Sequence, residues 1–170
     1  YSVSLSSDGT IVAIGAPRHD SKKGHVIVYK YNNQSNSWNQ MGGDIDGEAT
    51  EQSGYSVSLS SDGTIVAIGA PGTEPGTGSG YVRLYEYNNH SNSWIQMGAD
   101  INGEASGDQS GHSVSLSSDG TIVAIGAPGT GTGTGYVRVY EYKIKRKLTS
   151  TTLTPSDILY PDSSSNFEVL

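Results

Sequence analysis

One sixteen-residue string, SVSLSSDGTIVAIGAP, stands unchanged three times in this chain, at residues 2–17, 56–71 and 113–128. Whatever the string folds into, it folds into three times over, and each copy presents the same surfaces to its neighbours. Tyr1, Tyr55 and His112 immediately precede the copies, so the units repeat after 54 and then 57 residues. The length differences fall in the loop after each Gly-Ala-Pro and in the segment ahead of the next copy, which marks both as loops and the remainder as framework. The expected units are residues 1–54, 55–111 and 112–148, with 149–170 as a C-terminal tail or cap.

Each unit breaks into four strand segments. Val3 and Leu5 alternate with Ser2, Ser4 and Ser6, the period of two that gives a strand one apolar and one small polar face. Asp8-Gly9 follows and predicts a hairpin with a type I′ turn. Residues 11–14 form a continuous apolar run, too short for a helix and expected to be covered on both faces. Gly15-Ala16-Pro17, repeated as Gly69-Ala70-Pro71 and Gly126-Ala127-Pro128, ends that strand, because proline cannot donate to a ladder. The third strand spans 25–31, with equivalents at 81–87 and 136–142, and is followed by polar turns at 32–37 and 88–93. The fourth carries Trp38 and Met41 in one copy and Trp94 and Met97 in the next. The third copy lacks this Trp-bearing segment, and its tail contains Ile158, Leu159, Tyr160, Phe167, Val169 and Leu170, too apolar for a simple linker. A missing outer strand is expected to leave an edge open to partner strands. The fold expected is all-β: tandem four-stranded antiparallel blades stacked as a partial β-propeller, not closed by three repeats. A β-solenoid is the alternative, but its coils repeat at about 20–29 residues.

Composition agrees and narrows the function. There are 23 glycines and one Phe among 170 residues, which disfavours a helical bundle. The net charge of −7 disfavours nucleic acid as a partner, since phosphate recognition needs clustered Lys and Arg. The one basic run, 143–147, reads as a solvated strand end or linker. The absence of cysteine excludes disulfides, thiolate metal sites and cysteine nucleophiles. No segment approaches the roughly 18 apolar residues that span a bilayer. The chain opens without Met, inside a repeat, as a processed or partial chain would.

Gly54-Tyr55-Ser56-Val57, then Gly69-Ala70-Pro71, then Gly80-Tyr81-Val82-Arg83-Leu84-Tyr85 resembles the FG-GAP repeat of integrin α-type β-propellers. The first copy supplies Gly24-His25-Val26-Ile27-Val28-Tyr29 and the third Gly135-Tyr136-Val137-Arg138-Val139-Tyr140 for the closing strand, so the resemblance covers residues 1–142. It implies a propeller of usually seven blades, hence that further blades come from other copies or other repeat-containing chains. That family often holds calcium in an Asp-rich loop between its first two strands. Here the loop offers one carboxylate, Asp8, Asp62 or Asp119, against the about six to eight oxygens calcium prefers.

Catalysis is poorly supported. His25, His90 and His112 stand where sister copies carry other residues, His19 lies in a variable loop, and no nucleophile elbow or Ser-His-Asp order is visible. Asp44, Asp46 and Glu48, repeated as Asp100, Asn102 and Glu104, alternate oxygen ligands around a Gly as calcium loops do; the plainer reading is an acidic turn between blades. Asn33 and Asn89 head glycosylation sequons in exposed turns. Trp38 and Trp94 could stack on sugars, but such residues more often anchor blade packing. The alternating Thr and Gly of 129–135 reads as a loop. The expectation is a non-catalytic extracellular or cell-surface scaffold, with no resident cofactor, that binds copies of itself or other repeat chains through blade edges and loops 18–23, 72–80 and 129–135. The alternative is a carbohydrate-binding or calcium-dependent adhesion module.

Overall fold

The computed structural model describes residues 2–48, 50–72, 78–130, 134–143 and 166–170. The described residues form three antiparallel sheets, one per repeat. Blade 1 holds β1 (Ser2–Leu5), β2 (Ile11–Ala16), β3 (His25–Asn32), β4 (Ser37–Gln40) and β5 (Ile45–Asp46). Blade 2 holds β6 (Ser56–Leu59), β7 (Ile65–Ala70), β8 (Tyr81–Asn88) and β9 (Ser93–Asn102). Blade 3 holds β10 (Ser113–Leu116), β11 (Ile122–Ala127), β12 (Tyr136–Lys143) and β13 (Asn166–Val169). Strands lie side by side in chain order, and β4 and β5 of blade 1 both pair with β3, dividing between them the run that β9 makes in one piece. Among the described residues the sheets form no closed barrel. No helix among the described residues is long and apolar enough to cross a membrane.

The first hairpin departs from the expected type I′ turn. Gly9 has a φ of +70° but Asp8 does not share the left-handed region. Gly9 N–H donates to Ser6 O (3.0 Å) and Ser6 N–H to Ile11 O (2.9 Å), so the chain makes a type I turn with the glycine at its fourth position. The Asp8 carboxylate holds this turn by accepting from Ser6 Oγ (2.6 Å) and from Thr10 N–H (3.0 Å) and Oγ1 (2.9 Å). Those bonds to Ser6 and Thr10 hold the Asp8 carboxyl at about 2. Asp62 and Asp119 repeat the arrangement and are likewise lowered.

The edge expected to lie open in the third copy is closed by the chain itself. Residues 166–169 of the tail pair antiparallel with β12, in the register Tyr140↔Val169 to Lys143↔Asn166. Phe167 sits opposite Tyr142 with ring centroids 4.9 Å apart, as Trp38 sits opposite Tyr31 and Trp94 opposite Tyr87, each pair at 5.3 Å. An aromatic side chain at that register satisfies the outer strand, and phenylalanine serves where tryptophan does elsewhere. Ile158, Leu159 and Tyr160 lie outside the described residues, as do most of the basic run and the middles of loops 72–80 and 129–135.

Two apolar slabs hold the array together, and both lie between blades. Ile11, Ala13, Val26, Val28, Met41 and Ile45 of blade 1 meet Val57, Leu59, Val66 and Ile68 of blade 2. Ala67, Val82, Leu84, Met97 and Ile101 of blade 2 meet Val123, Ile125 and Tyr142 of blade 3. Alternation across each strand sends successive side chains to opposite slabs, Val66 and Ile68 one way and Ala67 the other. The apolar second strand is therefore covered on both faces in blade 2 alone. In the outer blades one face is open, with Ile14 at 37% and Ile122 at 36% exposure.

Candidate functional site

The joint between blades is the most elaborated feature of the described structure, and it is built from the repeat string. In blades 1 and 2 the small polar face of the first strand is turned to the next blade, while in blade 3 Ser113 and Ser115 are exposed. Ser2 Oγ accepts from Val57 N–H (3.1 Å), Ser4 Oγ from Leu59 N–H (2.9 Å) and Ser58 Oγ from Leu116 N–H (3.0 Å), so the serines of one blade bind the first strand of the next. Beside them, Ser7 N–H donates to Ser61 O and Ser61 N–H to Ser118 O, both at 2.8 Å. The glycine of Gly-Ala-Pro permits the closest approach. A Cβ on Gly15 would stand 2.0 Å from Gly54 O, and one on Gly69 2.0 Å from Gly111 O. Gly126 has no such backbone neighbour, and correspondingly Pro17 and Pro71 are buried while Pro128 is exposed.

Trp94 is a packing anchor: it lies against the first slab and its Nε1–H donates to Met41 O across the joint (2.7 Å). Trp38, its counterpart in blade 1, is 45% exposed. A polar clamp completes the joint. Arg83 sits at a β-bulge, binds Asp100 through Nε (2.8 Å) and Nη2 (2.7 Å), and reaches back to Glu48 of the preceding repeat (3.0 Å). This forked contact raises the Arg83 guanidinium further and lowers the Asp100 carboxyl. The Tyr81 hydroxyl donates to Glu51, and burial pushes its ionisation upward. The next joint repeats the scheme with Arg138 on Glu104 and Tyr136 on Asp108 (2.9 Å).

These contacts decide where the expected calcium ligands go. Asp100 is held by Arg83, Glu48 is paired to the same arginine, and Glu104 is paired to Arg138. Asn102 lies opposite Tyr81 in the ladder. The structure thus spreads the second set among ion pairs, and brings only Asp44 and Asp46 together. Blade 1 has Ile27 where blade 2 has Arg83, and His25 where it has Tyr81. His25 lies directly opposite Asp46 in the β3–β5 ladder, with Asp44 two residues along on the same face. One ligand atom from each of the three lies within 4.8 Å of the others. The expected metal set leaves out His25 because it breaks the repeat; the replacement of arginine by Ile27 is visible in the aligned copies, but that the arginine pairs with the acidic strand is visible only in the fold.

The sequon residues Asn33 and Asn89 are exposed at the tips of the β3–β4 and β8–β9 turns. In each turn the preceding Asn accepts backbone N–H bonds, Asn32 from Gln34 (2.8 Å) and Asn88 from His90 (2.9 Å), leaving the sequon Asn outside the turn's own bonding.

The outer faces of the array copy the two halves of its internal joints. Val57 and Leu59 are each 7% exposed, whereas Val3 and Leu5, the same residues one repeat earlier, are 69% and 59% exposed. At the other end Val82 is fully buried and its equivalent Val137 is 72% exposed. A groove of about 400 Å³ beside Val137, floored by Gly126 and Tyr136, lies where the internal joints seat the Gly54 and Gly111 backbones.

No family model matches this chain, and no curated protein sequence matches it. Solved structures do match, among them Kuenenia stuttgartiensis hydrazine synthase, with a TM-score of 0.53 at 11% identity over 82% of this chain. The matched part is 33% of that protein chain, so the likeness is one of fold to a portion of a larger molecule.

Proposed function

We propose that this chain is a non-catalytic assembly scaffold whose terminal blade faces each seat a further repeat of the same kind, carried by a second copy of the chain. The observation that carries this reading is the exposure of Val3 and Leu5 beside the burial of Val57 and Leu59, identical residues at identical places in the repeat. An apolar face that one blade covers with its neighbour is a ready surface for another such neighbour. The contact is heterologous, the front of one array on the back of the next, and so extends or closes a ring according to its rotation. The FG-GAP resemblance fits this reading, since propellers of that kind hold more blades than three. The exposed sequons Asn33 and Asn89 favour an extracellular or cell-surface setting, which a fall in intact mass on glycosidase treatment of the secreted protein would support and an unchanged mass would oppose.

The test is native mass by light scattering across concentration. The chain should form species above the 17.8 kDa of one copy. Leu5→Arg blocks one face and Val137→Arg the other, so each variant alone should stay monomeric and an equimolar mixture should give a 1:1 dimer. A wild-type chain that is monomeric at every concentration, or a mixture that fails to pair, overturns the proposal.

A further inference from the structure

We infer that His25, Asp44 and Asp46 form a binding site for a divalent transition-metal ion of the zinc class on blade 1. The His25 side chain is buried, with the residue 8% exposed, and its Nδ1 has no hydrogen-bond partner. A buried imidazole nitrogen left unpaired is costly, and such atoms call for an explanation. Nδ1 points at the Asp44 carboxylate but stops 3.7 Å from Oδ2, too far for a hydrogen bond. Two ligands of one tetrahedral ion with bonds of about 2.0–2.2 Å stand about 3.3–3.6 Å apart, close to that separation. Asp46 supplies a third atom from the residue directly opposite His25.

The other repeats indicate what this position otherwise needs. In blade 2 a guanidinium neutralises Asp100 and a tyrosine hydroxyl is bound by Glu51. Blade 1 carries Ile27 where blade 2 has the arginine, His25 where it has the tyrosine and Asp46 where it has Asn102. All three differences act in one direction: they remove a fixed cation, and add an imidazole and a carboxylate around the vacated charge. Imidazole with two carboxylates suits zinc and its neighbours, whereas calcium takes oxygen ligands in greater number. Gln40 Nε2 donates to Asp44 Oδ1 (2.7 Å), which orients that carboxylate and leaves Oδ2 toward His25. The His19 ring lies against the His25 ring, centroids 4.1 Å apart at 31°. Three protein ligands leave one position open for water or a partner's donor group.

The experiment titrates the purified chain with ZnCl2, with CoCl2 as a visible probe and CaCl2 as the comparison. Expected are one zinc per chain, a melting temperature raised by about 5 °C at saturation, and cobalt absorption bands of a tetrahedral nitrogen–oxygen site. His25→Gln and Asp46→Asn should each weaken zinc at least tenfold, and His19→Ala should weaken it far less. Ile27→Arg supplies blade 1 with the cation of blade 2, should keep the fold by circular dichroism, and should also abolish the site. If His25→Gln unfolds the chain, the Ile27→Arg result decides. Zinc binding that survives both variants belongs to other histidines and overturns the inference, as does stabilisation by calcium with none by zinc.

Discussion

Leu5 and Leu59 provide a controlled comparison, because they share residue type, strand position and local sequence and differ in what covers them. Leu59 is 7% exposed and packs in the first slab, while Leu5 is 59% exposed on the outer face of blade 1. Truncating a buried leucine removes its transfer free energy and leaves a cavity, together about 2–5 kcal/mol. Leu59→Ala should therefore cost about 3 kcal/mol. Leu5 has given up less than half of its contact with water, so Leu5→Ala should cost about 1 kcal/mol or less in a single copy. For a chain of this length the first loss lowers the melting temperature by about 6–12 °C and the second by at most about 4 °C. The assay is thermal and urea unfolding of both variants at a concentration where light scattering reads one copy. Equal losses in that monomer would refute the argument that coverage by the next blade, and not the strand itself, gives the position its weight. Raising the protein concentration adds a second readout, since a face that seats another copy makes the cost of Leu5→Ala grow with concentration while that of Leu59→Ala does not.

Three further outcomes follow from the same contacts. Gly69→Ala places a methyl group 2.0 Å from Gly111 O, a backbone atom that cannot swing aside, and should lose more than 2 kcal/mol, about the scale of overpacking; Gly126→Ala meets a rotatable Ser113 Oγ first and should cost under about 1 kcal/mol, both read by urea midpoints. Asp8, Asp62, Asp100 and Asp119 all ionise below the ordinary carboxylate value in the folded chain, so the stability they lend is present above that value of 3.8 and drains as pH falls below it, for Asp8 down to about 2; unfolding followed by circular dichroism should show its steepest loss below pH 3.8, and the Asp8→Asn/Asp62→Asn/Asp119→Asn triple variant should flatten it. Phe167→Ala, which strips the aromatic cover from Tyr142, should cost about 1–2 kcal/mol and speed amide exchange along β12 far more than along β3, by mass-spectrometric hydrogen exchange.

Strand placement was legible because it depends on short-range chemistry. The alternation of Val3 and Leu5 with serines, the apolar run at 11–14 and the stop at Pro17 each restrict the backbone locally, and the strands lie where those signals put them. What the neighbours do was not legible. Three identical strings cannot say which copy is covered, so the burial of Val57 and the exposure of Val3 look alike in the letters. The serine face read as small and polar, which is true of its composition, yet its role as acceptor for the next blade depends on the angle at which blades meet. The turn type failed for a related reason: Asp-Gly is compatible with two geometries, and the side-chain bonds of Asp8 to Ser6 and Thr10 select the one with a single left-handed residue. The tail entered the third sheet because Phe167 meets the requirement for an aromatic residue opposite Tyr142, a pairing between positions too distant to read along the chain. At the acidic edge the residues were legible and their partners were not, since Arg83 and Arg138 come from strands that only the fold brings near.

Blade 1 differs from the middle repeat in its polar clamp and not in its apolar face, and this asymmetry bears on how strongly copies would join. A capping repeat carries a polar outer face, whereas the outer face of blade 1 holds Val3, Leu5, Ile14 and Trp38. What blade 1 lacks is the Tyr81–Glu51 and Arg83–Glu48 pairing, which Tyr136 and Arg138 reproduce in blade 3. A joint at blade 1 therefore draws on apolar burial without the fork of charge-assisted bonds that fixes register inside the array. Within one chain the linking segment holds neighbouring blades at an effective concentration in the millimolar range, whereas a second copy must meet the full cost of association. Association between copies is then expected in the micromolar range or weaker, sensitive to concentration and relatively indifferent to salt, because burial of Leu5 and Trp38 and not ion pairing would drive it.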